Sequence, residues 1–536
     1  MTKKVGPKDF DVTIKFGGGL HTRASEDEID PREAADGHNF LLDAQNRELR
    51  NRPPFDLVGT VPNGAEIRGG GTLLKSDGTV SVLVQAGTSV YEWDGSTGFT
   101  LKGTVNSSAK LRGHWRSHNW TLDDKLLLTD LSLVEVVKEW DGTTLSNVSF
   151  LNGSASDASF GAFHAKYLSI SDERAIFSHV KDGTGTYPHM VVGSERSLYA
   201  TISVADRPAS ALSESDPFFL LMPDLKPING HVEAFGQNIL STEKGKLFNL
   251  TGSSAKDFSF GEFYAGSAAA GQESLSYIGN DVIYGRQGRV ESLTDTDRFG
   301  DSEADDLTKD IADQVSGYTG WRIVYNSRLN RAYLFPDSQS EVWTLNTVMR
   351  GGEVSPWMRW TTQHSMAFQP TFVMSMLDPV DGLEYVFMGD ASGNWYRMEG
   401  SGSDGDAGSS NIETEWLTKL HSAPLDTEIF NVEGYVKYHK NAAATMTISF
   451  EYAGQTAFNE SMTVTLQGLD GDTAHFGGDY YFGGDVYFGT AFENRLIRQK
   501  FLAPGQAADM QVRIAVDGTT DIRINEIGLR FTAASN

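Results

Sequence analysis

Along most of this chain apolar and polar residues alternate at period two, in short runs stopped by Asp-Gly, Asn-Gly or Gly-Gly pairs. That is the pattern of antiparallel hairpins, not of helices. Thr79 to Gln85 and Thr88 to Trp93 flank Ala86-Gly87, and Gln237 to Ser241 meets Lys246 to Leu250 across Lys244-Gly245. The same reading pairs Asp281 to Tyr284 with Gly288 to Glu291, Arg331 to Phe335 with Glu341 to Leu345, and Leu383 to Met388 with Asn394 to Met398. The hairpins recur about every 40 residues, the period of four-stranded propeller blades, and roughly six or seven blades fit between Ile67 and Gly400. Stacked β-sandwiches would give similar hairpins. One helix is expected in the series. Ser302 caps it, Glu303, Asp305 and Asp306 form an acidic first turn, and Leu307, Ile311 and Val315 make its apolar stripe.

The run 401–411 is almost entirely small or acidic and reads as a linker. Beyond it, 412–536 reads as a separate antiparallel β-domain, a sandwich, with strands at Glu428 to Val432, Thr445 to Phe450, Met462 to Leu466 and Met510 to Ile514. Asp521 to Ile524 and Ile527 to Phe531 suggest a closing hairpin or strand pair. Inside that domain Phe-Gly returns every six residues between His475 and Gly489. The aromatic residues there, Tyr480, Tyr481, Phe482, Tyr487 and Phe488, are either a loop that anchors on a partner or a long hairpin packed on its own sandwich. The expected class is thus all-β: an irregular arm over 1–60, a propeller over 61–400, a linker, and a C-terminal sandwich.

Composition narrows the function. The 536 residues include 71 acidic and 45 basic side chains, a formal charge of −26, and no cysteine. Disulfides, thiolate metal sites and thiol nucleophiles are excluded. The acidity argues against gripping nucleic acid phosphates or an anionic membrane, though not against contact with DNA in passing. No secretory signal and no membrane-spanning run is read, so synthesis in the cytoplasm is expected.

Catalytic signatures are scarce. The chain has no Gly-x-Ser-x-Gly elbow and no P-loop, and Gly17-Gly18-Gly19 lacks dinucleotide spacing. His114 and His118 stand four apart with no adjacent carboxylate to complete a metal site. Asp295-Thr-Asp297 begins like a calcium loop, but Phe299 stands where an oxygen ligand belongs. Glu92, Asp94, Glu139 and Asp141 fall at turns, where acids serve the backbone, although two carboxylates suffice for a glycosidase. The clusters Arg47 to Arg52 and Arg112 to Arg116 are expected to pair with acids of this chain or of a neighbouring subunit. No cofactor is expected.

The arm carries Phe16-Gly-Gly-Gly-Leu20, then Ser25, Ile29-Asp30-Pro31, Glu33-Ala34 and Asn39, then Leu49-Arg50-Asn51-Arg52-Pro53. Pro31 favours the first position of a helix and Pro53-Pro54 forbids one. These pieces resemble the opening of tail and head–tail proteins of double-stranded DNA bacteriophages, above all the nozzle, or tubular tail, protein of short-tailed phages. Two departures are the third glycine and Asp30 between Ile29 and Pro31. The resemblance implies a structural virion protein: a hexameric ring below the head–tail adaptor ring, tail fibres at the joint, and genomic DNA passing down the axis without specific binding. It implies assembly in the host cytoplasm and no active-site residues. Leu20, Ile29, Phe40 and Leu42 are then expected to pack the arm at an assembly interface, with Arg50 and Arg52 as ion-pair candidates between subunits. Acids facing the ring's bore would repel phosphates. The other reading is a carbohydrate-binding or depolymerising propeller on the same particle.

Overall fold

The computed structural model describes residues 8–535 except 26, 44–47, 153–161, 204–211, 244, 265–267, 280, 294–304, 338, 351, 353, 362–368, 401–411, 423–426, 441–443, 453–459, 467–498, 508 and 519–521. The linker at 401–411 and the aromatic run Tyr480 to Phe488 therefore lie outside the described residues.

Seven four-stranded antiparallel blades form a β-propeller. Their innermost strands are Ile67–Leu74, Leu111–Gly113, His164–Ser171, Ile228–Ala234, Leu275–Tyr277, Trp321–Asn326 and Phe372–Leu377. Each blade touches the next, the second through Lys125–Asp130 and the others through their innermost strands, and the seventh returns to the first, so the circle closes. The first two blades are also hydrogen-bonded to each other, because Arg112 and Gly113 pair in parallel with Gly70 and Gly71. A side chain is impossible there: a Cβ on Gly71 would lie 2.4 Å from the carbonyl oxygen of Gly113. Third strands bury large aromatics between blades, with Trp93, Trp140, Trp343 and Trp395 all 1 % exposed or less. Radial packing of this kind leaves few open edges for a long β chain.

The seventh blade is completed from the other end of the sequence. Its fourth strand is Asp56–Thr60, paired with Asn394–Arg397. The propeller thus begins at residue 56, and its ring is locked by a strand that precedes the first blade.

The rest of the arm is not a separate unit. Lys8–Lys15 pairs with Ile522–Ser535, Glu48–Asn51 also pairs with that strand, and Asp36–His38 pairs with Ile412–Leu417. Arm and C-terminal segment together build two six-stranded sheets. Phe16, Phe40, Leu42, Leu49, Trp416, Ile448, Ile514 and Ile527 from both sheets share one core with residues of the sixth blade. The arm contains a hairpin that the sequence reading missed, Phe40–Asp43 with Glu48–Asn51. Pro31 sits in a turn, where the Asp30 carboxylate accepts the Arg32 N–H at 2.9 Å, and starts no helix.

Two further expectations change. The helix is one turn, Ala312–Val315, after a 3-10 turn at Lys309–Ile311. Asp305 and Asp306, expected in its first turn, are instead the outer strand of the fifth blade, opposite Ser292 and Glu291. The apolar stripe stands, with Ile311 and Val315 fully buried, while Ser302 and Glu303 lie outside the described residues. The expected closing hairpin is one continuous strand, Ile522–Ser535. Register slips between Lys437 and Tyr438, where Glu526 and Ile524 are their partners and Asn525 is the extra residue. The bulge explains why buried positions change parity from Ile524 to Ile527 and Leu529.

Candidate functional site

Two places gather the residues that the sequence singled out: the arm joint and the bore of the propeller. At the joint the glycine run lies against the outer strand of the sixth blade. The N–H of Gly19 donates to the Ser355 carbonyl at 2.6 Å and that of Leu20 to the Trp357 carbonyl at 2.8 Å. A Cβ on Gly19 would stand 2.0 Å from the Trp357 oxygen, and one on Gly18 would stand 2.6 Å from Glu33 Cγ. The glycines permit backbone contact, which no other residue allows at that distance. Glu33, 3 % exposed, accepts the Ser355 N–H, and its other oxygen lies 2.9 Å from His21 Nδ1.

Asn39 is the hub of the joint. It is fully buried and left-handed, with φ of 57°, a conformation that Asn tolerates better than most residues. Its Oδ1 accepts the Thr361 N–H at 2.7 Å and Arg52 Nε at 2.9 Å. Its carbonyl accepts the Arg52 N–H at 2.8 Å and the Thr414 hydroxyl at 2.9 Å. Arg52 also donates to the carbonyls of Pro53 and Thr361 and lies 4.3 Å from the centre of the Phe55 ring. Propeller, arm and sandwich therefore meet at one asparagine and one arginine.

This placement corrects the expected interface roles. Leu20, Ile29, Phe40, Leu42 and Arg52 are 0–3 % exposed within a single chain. Phe40 packs edge-on against Trp416 at 5.0 Å, and its carbonyl accepts Trp360 Nε1 at 2.9 Å. Such side chains have no surface left for a neighbour. Arg50, partly buried, pairs with Glu48 of its own hairpin at 3.2 Å.

The bore is a cavity of about 440 Å³ lined by inner strands of the second to seventh blades. The cluster Arg112 to Arg116 supplies its main crossings. Arg112, from the second blade, donates to Glu273, which stands just before the inner strand of the fifth. Since the third and fourth blades lie between these two, the bond spans the bore. Arg112 also donates to the carbonyls of Arg68 and Leu111 at 2.8 and 2.9 Å and lies over the Phe372 ring at 4.9 Å. Arg322 Nε adds a second cation 3.4 Å from Glu273. Burial pushes the Glu273 carboxyl up, but Arg112 and Arg322 outweigh it and hold the group below its ordinary value. At a second level Arg116 reaches Glu384 of the seventh blade at 3.0 Å and Ser327 of the sixth.

Three histidines share the bore. Burial pushes His114 and His231 down to about 4 and His118 to about 3, so all three are neutral at pH 7. His231 Nε2 donates to Asn238 Oδ1 at 3.1 Å, and its Nδ1 accepts the Ser178 hydroxyl at 3.0 Å. The pair His114 and His118 belongs to the bore wall; among the described residues no group of three or more His, Asp or Glu could hold a metal ion. Of the four carboxylates expected at turns, only Asp94 and Asp141 lie there; Glu92 and Glu139 stand in the strands Ser89–Trp93 and Lys138–Trp140. Asp94 accepts the Ser96 and Gly98 N–H groups, Asp141 those of Thr143 and Thr144. Glu92 pairs with Lys102 at 2.8 Å and Glu139 with Lys125 at 3.0 Å.

No family model and no curated protein matches the chain. Solved structures do. A catalytically inactive virginiamycin B lyase from Staphylococcus aureus aligns at 9 % identity and a TM-score of 0.40, over 64 % of this chain and 98 % of that one. The WD40 domain of Toxoplasma gondii coronin aligns at 9 % identity and a TM-score of 0.38, over 68 % and 87 %.

Proposed function

We propose that this chain is a structural subunit of a phage tail nozzle. In this reading several copies form a ring, most simply six, that continues the DNA channel below the head–tail adaptor and helps retain and guide the genome during ejection. The observation that carries it is the fate of the arm motif. Gly18-Gly19-Leu20, Glu33, Asn39 and Arg52 all sit in one joint that fastens propeller to sandwich. A motif spent on holding two modules at a fixed angle suits a part repeated around an axis, where an error in angle would accumulate from copy to copy. The bore of one propeller, about 440 Å³ and crossed by Arg112 and Arg116, is no route for a duplex whose major groove alone is about 12 Å wide. DNA would therefore run between copies, along the ring's own axis, and the chain acts as scaffold and not as enzyme. The genetic test uses particles made without this chain. They are expected to package DNA, lose it and fail to infect; particles that retain their genome and infect overturn the proposal.

A further inference from the structure

The bore has two unlike ends. Inner strands of the first two blades run parallel, and repetition of the same blade sets the others in that direction. At the N-terminal ends of these strands Arg112, Glu273 and Arg322 satisfy one another. At the C-terminal ends the cavity wall is formed by Phe235, Tyr277 and Tyr325 from three successive blades, with Glu233, His114 and Arg116. Phe235 is 48 % exposed and stands edge-on to Tyr277 at 5.8 Å. An aromatic held open at a cavity mouth is a cost to the free protein that a bound partner removes.

We propose that this mouth binds a short neutral saccharide, whose ring faces pack on Phe235, Tyr277 and Tyr325 and whose hydroxyls bond to Glu233, Arg116 and His114. The polar groups offer both donors and acceptors. Glu233 is half-buried, makes no side-chain hydrogen bond among the described residues, and burial pushes its carboxyl up. His114 Nδ1 accepts the Arg116 N–H at 3.2 Å, which in the neutral ring leaves Nε2 carrying the hydrogen. Arg116 uses only Nη2 for Ser327 and Glu384. Charge selects against ions of either sign. A cation meets Arg116, an anion meets Glu233 and Glu384, and a polyol can use all of them. The mouth opens into a bore of about 440 Å³, within the range of about 300–1,000 Å³ usual for small-molecule sites.

The test titrates the full chain with maltotriose, cellotriose and a trimer of N-acetylglucosamine, using tetramethylammonium and sulfate as charged probes and reading saturation-transfer NMR and calorimetry. At least one trisaccharide should bind with a dissociation constant below about 1 mM, and neither ion should. Phe235→Ala and Glu233→Gln should each weaken binding about tenfold or more, while Lys256→Ala, at an exposed position outside the cavity lining, should not. Phe235 lies at an exposed turn and Glu233→Gln is isosteric, so both variants keep the fold; an unchanged melting temperature verifies it. Absence of binding by all three sugars, binding that survives Phe235→Ala, or preference for either ion would overturn the proposal. The nozzle reading stands or falls separately, since it needs no ligand.

Discussion

Arg112 and Glu273 hold a hydrogen bond across the bore, joining the second blade to the fifth without passing through the two blades between them. The contact acts as a strut. Loss of Arg112 leaves Glu273 with one cation, and two backbone carbonyls lose a donor. Arg112→Ala should therefore cost about 1.5–3 kcal/mol, as loss of a hydrogen bond to a charged group does. Denaturant unfolding checks this, and a change below about 0.5 kcal/mol, the level of an ordinary surface substitution, would show the strut to be idle.

Acid should weaken the propeller before it reaches the usual carboxylate range. His114, His118 and His231 have folded-state values of about 4, 3 and 4, below the unfolded value of about 6.5. Below pH 6.5 the unfolded chain binds protons that the folded chain refuses, so stability falls as pH drops from about 6.5 toward 4 and is level with respect to these groups above 6.5. Melting temperature against pH reads this directly. His231→Gln should flatten the slope, and an unaltered slope would remove His231 from the account.

Gly19→Ala places a methyl 2.0 Å from the Trp357 oxygen and must push the arm off the sixth blade. Gly183→Ala meets nothing within 4 Å and serves as control. Limited proteolysis should cut the Gly19 variant within the first 60 residues while the control resists as the parent does. Equal resistance of both would show that the joint tolerates displacement.

A chain beginning at residue 61 lacks Asp56–Thr60, the strand that closes the seventh blade, and four strands of the sandwich. It should aggregate, because the open edge at Asn394–Arg397 and the uncovered Trp416 side of the core are both sticky. A soluble, monomeric product with one cooperative melt would contradict the closure.

The propeller was legible in the sequence because period-two runs and Asp-Gly turns are local. Asp94-Gly95 and Asp141-Gly142 do in the structure what those residues do in any turn, with Gly95 and Gly142 at φ of 86° and 87°. What escaped was long-range. Nothing near Asp56 says that its partner lies beyond residue 390, and Lys8–Lys15 gives no sign that it completes a sheet with Ile522–Ser535. The one-residue bulge at Asn525 divides Asp521 to Ile524 from Ile527 to Phe531, so that in sequence they suggest a hairpin or a strand pair, because a parity change looks alike in a bulge and in a turn. Burial of Leu20, Phe40 and Arg52 inside the chain was also hidden, since an apolar arm residue has the same pattern whether it faces its own core or a neighbour. The bore was half visible: Arg112 to Arg116 stood out as a basic cluster expected to find acids, but Glu273 and Glu384 lie 161 and 268 residues away.

The claim that this chain builds a nozzle is tested most directly by averaged electron micrographs of the purified full-length protein, concentrated until it assembles. The account predicts closed rings of identical propeller-and-sandwich subunits, six in number, around an opening wide enough for a duplex. Single propellers at every concentration, or rings whose centre is filled by protein, would contradict it.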